Sequence, residues 1–328
     1  MTIITEKKLV LKITDGQKKE RIDSYLANHI EFTSRSKIQK LIKGNLVTVN
    51  GKVIKANYLI EPADEIVVTI PVSPRPENVE AEDIPLDIIY EDDYLIIVNK
   101  KAGMVVHPSL GNYSGTLVHA LLHHTQNNLS NINGDVRAGI VHRIDKDTSG
   151  LLVIAKDESV HSEIAKQFAA HTTEREYWAL CWGKFKNSTG EIIGNIARNK
   201  KDRKLFAVSE TEGKHAHTYY EVIEEFDFLS LIKLKLKTGR THQIRVHLDY
   251  INHNIFGDPV YGGRRINYGY EYPKIKARVN NLLKLIDRQA LHAKTLGFIH
   301  PITKQKMSFD SPLPEDFENV LKELRNEL

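Results

Sequence analysis

Apolar positions near the start of the chain recur at helical spacing. Between Glu20 and Ile30 the apolar side chains fall three or four residues apart, which predicts an amphipathic helix. A second helix is predicted to begin at Ser34, as its N-cap, and to end at Gly44. Its apolar residues share an arc about 100° wide, its lysines take the opposite side, and Arg35 lies at the margin. We therefore expect this helix to bury one stripe and to expose a basic face.

A strand pattern follows the second helix. Residues 46–54 form two short β-like segments joined by Asn50-Gly51, the dipeptide that most strongly indicates a tight hairpin turn. A further strand is predicted over Ile66–Ile70. We therefore expect a small domain over residues 1–70, with two helices followed by a small sheet.

A segment rich in proline and acidic residues comes next. Pro71–Pro85 contains four prolines and four acidic residues but few large apolar side chains. This composition is typical of a stiff, extended linker. We predict a first domain over residues 1–70, a linker over 71–86 and a large domain over 87–328.

The large domain mixes strands and helices without a regular βαβ alternation. Five segments predict strands: Leu95–Asn99, Gly150–Ala155, Glu176–Trp182, Thr218–Ile223 and Ser230–Leu236. Val160–His171 has the spacing of a helix. Because no glycine-rich phosphate loop follows a strand, a doubly wound nucleotide-binding fold is not expected. The predicted class is α+β, with a mixed, largely antiparallel sheet in the large domain and a small N-terminal domain of two helices and a sheet.

Composition and charge narrow the function classes. The chain has 328 residues, of which 41% are hydrophobic, and no run of about 18 apolar residues predicts a membrane helix. Its single cysteine, Cys181, excludes an internal disulfide and fits a reducing cytoplasm, where we expect the protein to act. The net charge is +4, but ten basic and four acidic residues lie between Lys12 and Lys55. A local positive patch of this kind is typical of a protein that binds a polyanion. If charge were the only evidence, a solvated lysine-rich surface would be the better interpretation.

The segment His142–Gly150 carries the strongest candidate for chemistry. It places a carboxylate, Asp145, two residues after Arg143 and just before a predicted buried strand. A neighbouring cation favours the ionised form of a carboxylate, which could then act on a substrate. A structural turn is the alternative for Asp145, and it is the better interpretation of Asp147.

Two other chemistries have weaker support. The chain contains 15 histidines but none of the known ligand spacings, so we expect no metal. Ser149 lacks the Gly-x-Ser-x-Gly context of a hydrolase nucleophile. We expect its hydroxyl to bond within its own turn, and a hydrolase that uses Ser149 is the third of our hypotheses.

Ordered blocks of sequence resemble the pseudouridine synthases of the large-subunit ribosomal RNA type. The blocks are His-Arg-Ile-Asp-x-x-Thr-Ser-Gly at 142–150, Ala102–Pro108, Arg-Glu-Tyr at 175–177, Thr238–Leu248, Gly257–Gly262 and Leu291–Ala293. The first domain resembles an S4 RNA-binding domain at residues 21–23, 34–42 and 47–51. Within the family, the order of domains is closest to that of the bacterial synthase D. One departure is Lys101, where the family usually has proline.

The resemblance implies that uridine in folded RNA is isomerised to pseudouridine, with no cofactor. Asp145 would start cleavage of the glycosidic bond by attacking the sugar, by attacking the base or by removing a sugar proton. Arg245 would be its ionic partner. A phosphate clamp is the alternative role for Arg245, and Arg240 competes for either role.

Further roles follow from the same resemblance. Tyr177 would stack on the uracil and assist proton removal, unless it is only a half-buried strand aromatic. Arg143 would enter the space vacated by the flipped base or bind its phosphate, and its alternative is a surface ion pair. We expect His142, His242 and His247 to order loops rather than to act as acids or bases.

The expected partner is large-subunit ribosomal RNA or a pre-ribosomal particle. We expect the protein to act as a monomer and not to associate with a membrane. The residues expected to contact phosphates are Arg21, Arg35, Lys37, Lys40, Lys43 and Arg240. A tRNA or another ribosomal RNA site is the alternative substrate. A non-catalytic RNA-binding or ribosome-assembly protein is the alternative function.

Overall fold

The computed structural model describes residues 5–30, 35–72, 79–200, 202–203, 205–266 and 273–326, without the side chains of 5–7, 37 and 70–72. The chain divides into two compact units, Met1–Arg75 and Pro76–Leu328. The predicted N-cap Ser34 and the side chain of Lys37 lie outside the described residues.

The described residues of the first unit form a four-stranded antiparallel sheet and two helices. Its elements are β1 (Thr5–Lys12), α1 (Ile22–His29), α2 (Arg35–Lys43), β2 (Val47–Val49), β3 (Lys52–Val53) and β4 (Glu65–Val72). The strand order is β1-β4-β2-β3. The predicted hairpin is confirmed, since Asn50 and Gly51 have φ values of 51° and 75° between β2 and β3. Strand β1 was not predicted, and it pairs with β4 along its whole length.

The apolar stripe predicted for α2 is buried. Ile38, Leu41 and Ile42 are 0%, 6% and 4% exposed and belong to one apolar cluster with residues of α1. Full burial of such a side chain stabilises the fold by roughly 1.5–3 kcal/mol. Lys40 and Lys43 are exposed, so packing secures the apolar face of the helix and leaves these two lysines in solvent.

The second unit is built on one large sheet. Its strands are β5 (Ile88–Glu91), β6 (Leu95–Lys100), β7 (Ser149–Ala155), β8 (Glu174–Trp182), β9 (Thr189–Arg198), β10 (Phe206–Ser209), β11 (Lys214–Glu225), β12 (Leu229–Leu236), β13 (Leu291–Ile299) and β14 (Lys306–Asp310). Its α-helices are α3 (Leu117–His124), α4 (Glu158–Ala169), α5 (Gln243–Tyr250), α6 (Pro273–Leu285) and α7 (Glu315–Arg325). The five predicted strands correspond to β6, β7, β8, β11 and β12, and the predicted helix to α4.

The strand order of the large sheet is β10-β9-β11-β12-β8-β13-β7-β6-β5, with β14 paired to β13. Among the described strands, β7 and β13 are parallel and the other pairs are antiparallel. This arrangement confirms the predicted α+β class with a mixed, largely antiparallel sheet.

Residues 71–72 of the predicted linker belong to β4 of the first unit, and residues 79–86 pack within the second unit. Val79 and Leu86 pack against the main apolar core. The backbone N–H of Glu82 donates to the carbonyl of His119 at 3.1 Å. The stretch from Val79 onward is therefore held by apolar contacts rather than extended in solvent. The domain limits at residues 70 and 86 stay a prediction.

Strand β7 is the rigid element next to the Asp145 segment. All seven of its residues are buried, and alternate side chains pack into the main core and against α4. At its start, Gly150 has a φ of +115°, and a Cβ there would lie 2.3 Å from the carbonyl oxygen of Ala293. Only glycine fits this close approach of β7 to β13, so the end of the segment is fixed.

Candidate active site

Buried cations anchor the loop 142–148 that carries Asp145. The Lys100 ammonium donates to the carbonyl of Lys146 at 2.9 Å and to two further backbone carbonyls. Nη1 of Arg288 donates to the carbonyl of Asp147 at 3.0 Å. Burial lowers the pKa of Lys100 to about 7, although the nearby Asp147 opposes this effect. The hydrogen bond from Arg288 comes from a charged donor and is stronger than a neutral one, and Lys100 adds contacts to three carbonyls, so together they hold the loop in one conformation.

The anchored loop directs Asp145 towards a single strong partner. Nη1 of Arg245 donates to Oδ2 of Asp145 at 3.1 Å, although the two residues are 100 positions apart. The other oxygen, Oδ1, accepts no hydrogen bond from a described residue, and the side chain of Asp145 is 22% exposed. The structure thus brings together the two residues that were predicted to pair, and it leaves one carboxylate oxygen open.

Asp258 holds Arg245 from the other side. Nε and Nη2 of Arg245 donate to the two oxygens of Asp258 at 2.7 and 2.9 Å. Asp258 also accepts the backbone N–H groups of Val260 and Tyr261, and the Tyr261 ring centroid is 4.9 Å from the guanidinium carbon. Burial alone would lower the pKa of Arg245, but Asp258 and Asp145 together raise it above its usual value. Arg245 is therefore a fixed cation.

His242 lies beside the same carboxylate, as the N-cap residue of α5. Its Nδ1 is 2.9 Å from the Tyr261 hydroxyl and its Nε2 is 4.0 Å from Oδ2 of Asp145. The backbone before it is held by the buried side chain of Gln243, which accepts the hydroxyl of Thr238 at 2.7 Å. Residues 238–243 therefore form a loop in which the side chain of the last residue, Gln243, is hydrogen-bonded to the first, Thr238.

Asp145 lines a cavity of about 590 Å³. The loop before β7, the end of α4, strand β8 and the loop before α5 form its walls. Arg143, Arg175 and Arg240 also line it, and this concentration of positive charge favours an anionic ligand. The volume falls within the range of about 300–1,000 Å³ that is typical of small-molecule sites.

Tyr177 lies on the β8 wall of this cavity and is 8% exposed. Burial raises its pKa, against the opposing effect of Arg175, so the phenol is protonated at neutral pH. Arg175 precedes Tyr177 by two residues on the same strand, and its guanidinium carbon lies 5.3 Å from the ring centroid of Phe168. Aromatic and cationic side chains thus line the cavity together, a combination suited to a planar base with a phosphate.

Arg143 and Arg240, which were predicted to contact RNA, both line the cavity. Arg143 is exposed and forms no ion pair within the described part of the chain. Arg240 is also exposed, and its Nε donates to the carbonyl of His215 at 2.9 Å. Neither guanidinium is neutralised by a described carboxylate, so both remain open to an anionic ligand.

Other polar residues of the motif have structural contacts. The Ser149 side chain is 2% exposed, is hydrogen-bonded with Nδ1 of His292 at 2.9 Å and does not line the cavity. Asp147 contributes its backbone carbonyl to the loop anchor described above. Nε2 of His142 accepts the N–H of Val153 at 3.1 Å, and burial lowers the pKa of this histidine to about 3. These contacts fix the loop and the start of β7.

In the first unit, two predicted RNA contacts bind a buried carboxylate. Asp23 is fully buried and accepts paired hydrogen bonds from Arg21 and from Arg35, together with one from Gln39 at 2.6 Å. Burial alone would raise the pKa of Asp23, but these hydrogen bonds outweigh it and hold the pKa well below its usual range. The side chains of Arg21 and Arg35 are still 46% and 51% exposed.

The remaining predicted contacts of the first unit are lysines. Lys40 and Lys43 are exposed, and neither pairs with an acidic side chain in the ranges described above. The side chain of Lys37 lies outside those ranges. Both described lysines therefore present unneutralised charge to solvent.

Metal ligation and membrane insertion find no support in the described ranges. They contain no group of three or more His, Cys, Asp or Glu side chains placed to hold a metal ion. None of the helices within those ranges is long and apolar enough to cross a membrane.

Comparison with known proteins assigns the family. The S4 domain model matches residues 20–66, and the RNA pseudouridylate synthase model matches residues 94–250. The chain is 45% identical to an uncharacterized RNA pseudouridine synthase of Chlorobaculum parvum over 97% of this chain and 98% of that relative. The chain belongs to the RNA pseudouridine synthase family. It is therefore an enzyme, an isomerase, as the sequence motifs predicted.

Further relatives of this pseudouridine synthase carry a more specific name. The ribosomal large subunit pseudouridine synthase D of Zymomonas mobilis is 44% identical over 93% of each chain. The protein of the same name from Vibrio parahaemolyticus is 39% identical over 96% of this chain and 94% of its own. The structure of human RNA pseudouridylate synthase domain containing 4 shares the fold, with a TM-score of 0.54 at 24% identity over 73% of this chain and 92% of its own.

Several residues of the synthase site were not predicted. Asp258 and Tyr261 lie in a block that was matched without any role being assigned to them. Lys100 and Arg288 were not singled out. The signal comes from the fold: Arg245 is buried in α5, and a buried arginine needs a carboxylate partner besides one that must react. That requirement points to Asp258, the acidic residue of the Gly257–Gly262 block.

Proposed function

We propose that this synthase isomerises specific uridines of large-subunit ribosomal RNA and that Asp145 starts the cleavage of the glycosidic bond. The asymmetry of the Asp145 carboxylate carries the proposal. Its Oδ2 is bound by Arg245, whereas its Oδ1 has no described partner and the side chain lines a cavity. The fixed cation holds one oxygen of the carboxylate in place, and the open oxygen is free to react.

The reaction requires that the uridine leave its stack. A base inside folded RNA is out of reach of Asp145 until it flips into the cavity. The bond from uracil N1 to ribose C1′ then breaks, the uracil turns, and a bond forms from C5 to C1′. C5 loses a proton and N1 gains one, so the product is an isomer. Asp145 attacks the sugar, attacks the base or removes a sugar proton, and each of these steps needs an ionised carboxylate.

The other residues of the cavity act around this step. Arg245 holds Asp145 rather than a phosphate, because its three nitrogens already donate to Asp145 and Asp258. Tyr177 stacks on the uracil, and its hydroxyl assists proton removal as a relay that passes its own proton on while it receives one, because the protonated phenol is not itself a base. Arg143 enters the space that the flipped base leaves, and Arg240 binds phosphate. These roles use the cationic lining of the cavity and the protonated phenol of Tyr177.

The first unit binds the RNA backbone. Lys40 and Lys43 supply unneutralised charge, Lys37 belongs to the same helix, and Arg21 and Arg35 are oriented by Asp23. Such contacts add affinity without selecting a sequence. The names of the Zymomonas and Vibrio relatives support large-subunit ribosomal RNA as the substrate. We also propose that the enzyme acts as a monomer in the cytoplasm, with an RNA-binding domain over 1–70, a linker over 71–86 and a catalytic domain over 87–328.

Mapping of pseudouridines in total RNA tests the proposal. Cells with the gene, without it, and with the Asp145→Asn variant in its place are compared. We expect the same large-subunit uridines to remain unmodified in the last two strains. Loss of positions in tRNA instead would overturn the proposed substrate. Full modification in the Asp145→Asn strain would overturn the role of Asp145, and an unchanged map in the deletion strain would favour a non-catalytic function.

A further inference from the structure

We propose that His242, held by Tyr261 in a single tautomer, is a positioning residue for the reacting carboxylate. The inference rests on the proposed role of Asp145. The three side chains form a line in which the Tyr261 hydroxyl is 2.9 Å from Nδ1 of His242. Nε2 of the same ring is 4.0 Å from Oδ2 of Asp145. Contacts of catalytic groups are often long before substrate binds and shorten in the complex.

The hydrogen bonds around Tyr261 determine which nitrogen of His242 carries the proton. The backbone N–H of Phe206 donates to the Tyr261 oxygen at 3.1 Å. The Tyr261 O–H is then free to donate, and Nδ1 of His242 is its acceptor among the described residues. A proton on Nδ1 would instead leave the hydroxyl hydrogen without a described acceptor, which is unfavourable for a group that is only 4% exposed. Nδ1 therefore accepts, and Nε2 carries the proton.

The other end of the ring favours the same tautomer. A bare Nε2 lone pair would face the Asp145 carboxylate and be repelled, whereas an N–H group is attracted. Burial lowers the pKa of His242, and Arg245 and Arg143 act in the same direction against Asp145 and Asp258. The ring is therefore neutral near pH 7, with its single N–H on Nε2, the nitrogen 4.0 Å from Oδ2 of Asp145.

The backbone at His242 is held by its surroundings. Its φ of 56° and ψ of 20° lie in the left-handed region, which histidine adopts more readily than most residues with a side chain. Eight other described non-glycine residues also have a positive φ, so the conformation by itself marks no special role. Here the hydrogen bond to Tyr261 and the loop closed by Gln243 hold the ring beside Asp145.

The consequence concerns the orientation of the carboxylate. Nη1 of Arg245 donates to Oδ2 of Asp145, and Nε2 of His242 lies 4.0 Å from the same oxygen. When the second contact shortens in the RNA complex, two donors on one oxygen fix the plane of the carboxylate and present Oδ1 to the ribose or the uracil. Loss of the His242 N–H should therefore slow the chemical step and leave RNA affinity unchanged.

The tautomer is measured directly by ¹⁵N NMR of the full chain without RNA. The His242 signals are assigned by their absence from a His242→Gln spectrum. We expect a neutral ring with the proton on Nε2 in the wild type and a mixture of tautomers in Tyr261→Phe. A proton on Nδ1 in the wild type would overturn the proposal. Because no RNA is present, this result does not depend on whether Asp145 is catalytic.

Kinetics separate positioning from a structural role. Asparagine tolerates the left-handed backbone, but its amide ends near the position of Nδ1, whereas glutamine places an N–H near that of Nε2. The substrate is an unmodified large-subunit RNA transcript with tritium at uridine C5, which isomerisation releases to water. We expect His242→Asn to react about 10- to 100-fold more slowly under single turnover, with His242→Gln clearly faster than His242→Asn and the Kd for RNA unchanged in both.

Equal rates for His242→Asn and His242→Gln would overturn the proposal, as would a wild-type rate for His242→Asn. A parallel loss of RNA affinity would also overturn it. The Asp145→Asn variant is measured beside them. A wild-type rate in that variant would refute the proposed function itself, so the two failures are distinguishable.

Discussion

Asp23 and Asp145 are both carboxylates bound by arginine, yet one is saturated and the other is open. Asp23 is fully buried, and its two oxygens accept five hydrogen bonds from Arg21, Arg35 and Gln39. Asp145 is 22% exposed and accepts one hydrogen bond within the described residues, at Oδ2. A saturated carboxylate offers no lone pair to a substrate. The difference separates a carboxylate that holds a fold from one that is placed to react.

Asp258 repeats the saturated pattern inside the active site. It accepts two hydrogen bonds from Arg245 and two from backbone N–H groups. Because Asp258 already neutralises the buried guanidinium, the single hydrogen bond from Arg245 to Asp145 orients the second carboxylate without covering it. The comparison predicts which of the three carboxylates matter for stability and which for chemistry.

Replacement of Asp258 should give the largest loss of stability. Asp258→Asn leaves the buried Arg245 with Asp145 as its one charged partner, through a single hydrogen bond, and breaking a buried pair costs about 3–5 kcal/mol. Urea unfolding of the full chain, followed by hydrogen exchange in the second unit, measures this change. Asp145→Asn is the matched control, and we expect a much smaller effect from it. An equal effect from the two variants would contradict the division between saturated and open carboxylates.

Replacement of Asp23 should give a smaller loss, confined to the first unit. Asp23→Asn removes charged hydrogen bonds, but Arg21 and Arg35 are about half exposed and regain water. We expect a loss of about 1–3 kcal/mol. Hydrogen exchange of residues 5–72 in the full chain measures it, with exchange of the second unit as the internal control. Unchanged protection of those residues would show that Asp23 does not hold the fold.

Acid should affect the first unit through the same carboxylate. The pKa of Asp23 is depressed in the folded state, so its stabilising effect is present above its unfolded pKa of about 3.9. The effect is lost as the pH falls from there through the folded pKa. Hydrogen exchange and unfolding experiments from pH 5 downward should show that the free energy of unfolding of the first unit falls below about pH 4. Asp23→Asn should flatten this dependence, and an unchanged slope would contradict the assignment.

The exposed lysines of α2 should give the smallest effect, on affinity alone. Lys40→Ala and Lys43→Ala remove charge that no described carboxylate neutralises, so folding stability should change by less than about 0.5 kcal/mol. The slope of log affinity for RNA against log salt should fall by about 0.7–0.9 for each phosphate that the variant no longer binds. Lys52→Ala, in the hairpin of the same unit, is the control. Equal slopes for all three variants would argue against α2 as the RNA-binding face.

Prediction from sequence worked where one periodicity dominated. The apolar stripe of α2 and the short apolar run of β7 determined those elements by themselves. Helix α5 was not predicted because six of its eight residues, including Arg245 and His247, are buried, so its polar side chains do not mark a solvent face. Strand β1 was missed because its stability comes from pairing with β4, a partner about sixty positions away.

The sequence predicted those site residues that lie in motifs with an assigned role. Asp145, Tyr177 and Arg245 were named from ordered blocks, and the structure places all three at one cavity. The second carboxylate, Asp258, was not assigned, because its partnership with Arg245 depends on tertiary contacts. His242 was expected only to order its loop. Its proximity to Asp145 and its hydrogen bond to Tyr261 support the positioning role proposed above. Both contacts depend on tertiary structure, because they join residues from separate loops.

Paired asparagine substitutions at Asp145 and Asp23 test the central claim most directly. The single-turnover rate at saturating RNA and the stability of each unit are measured for both variants. We predict that Asp145→Asn slows isomerisation by about 10²- to 10⁴-fold or more while RNA affinity and stability are kept. Asp23→Asn should do the reverse, with a wild-type rate and a destabilised first unit. Isomerisation at the wild-type rate by Asp145→Asn would contradict the claim that the open carboxylate is the one that reacts.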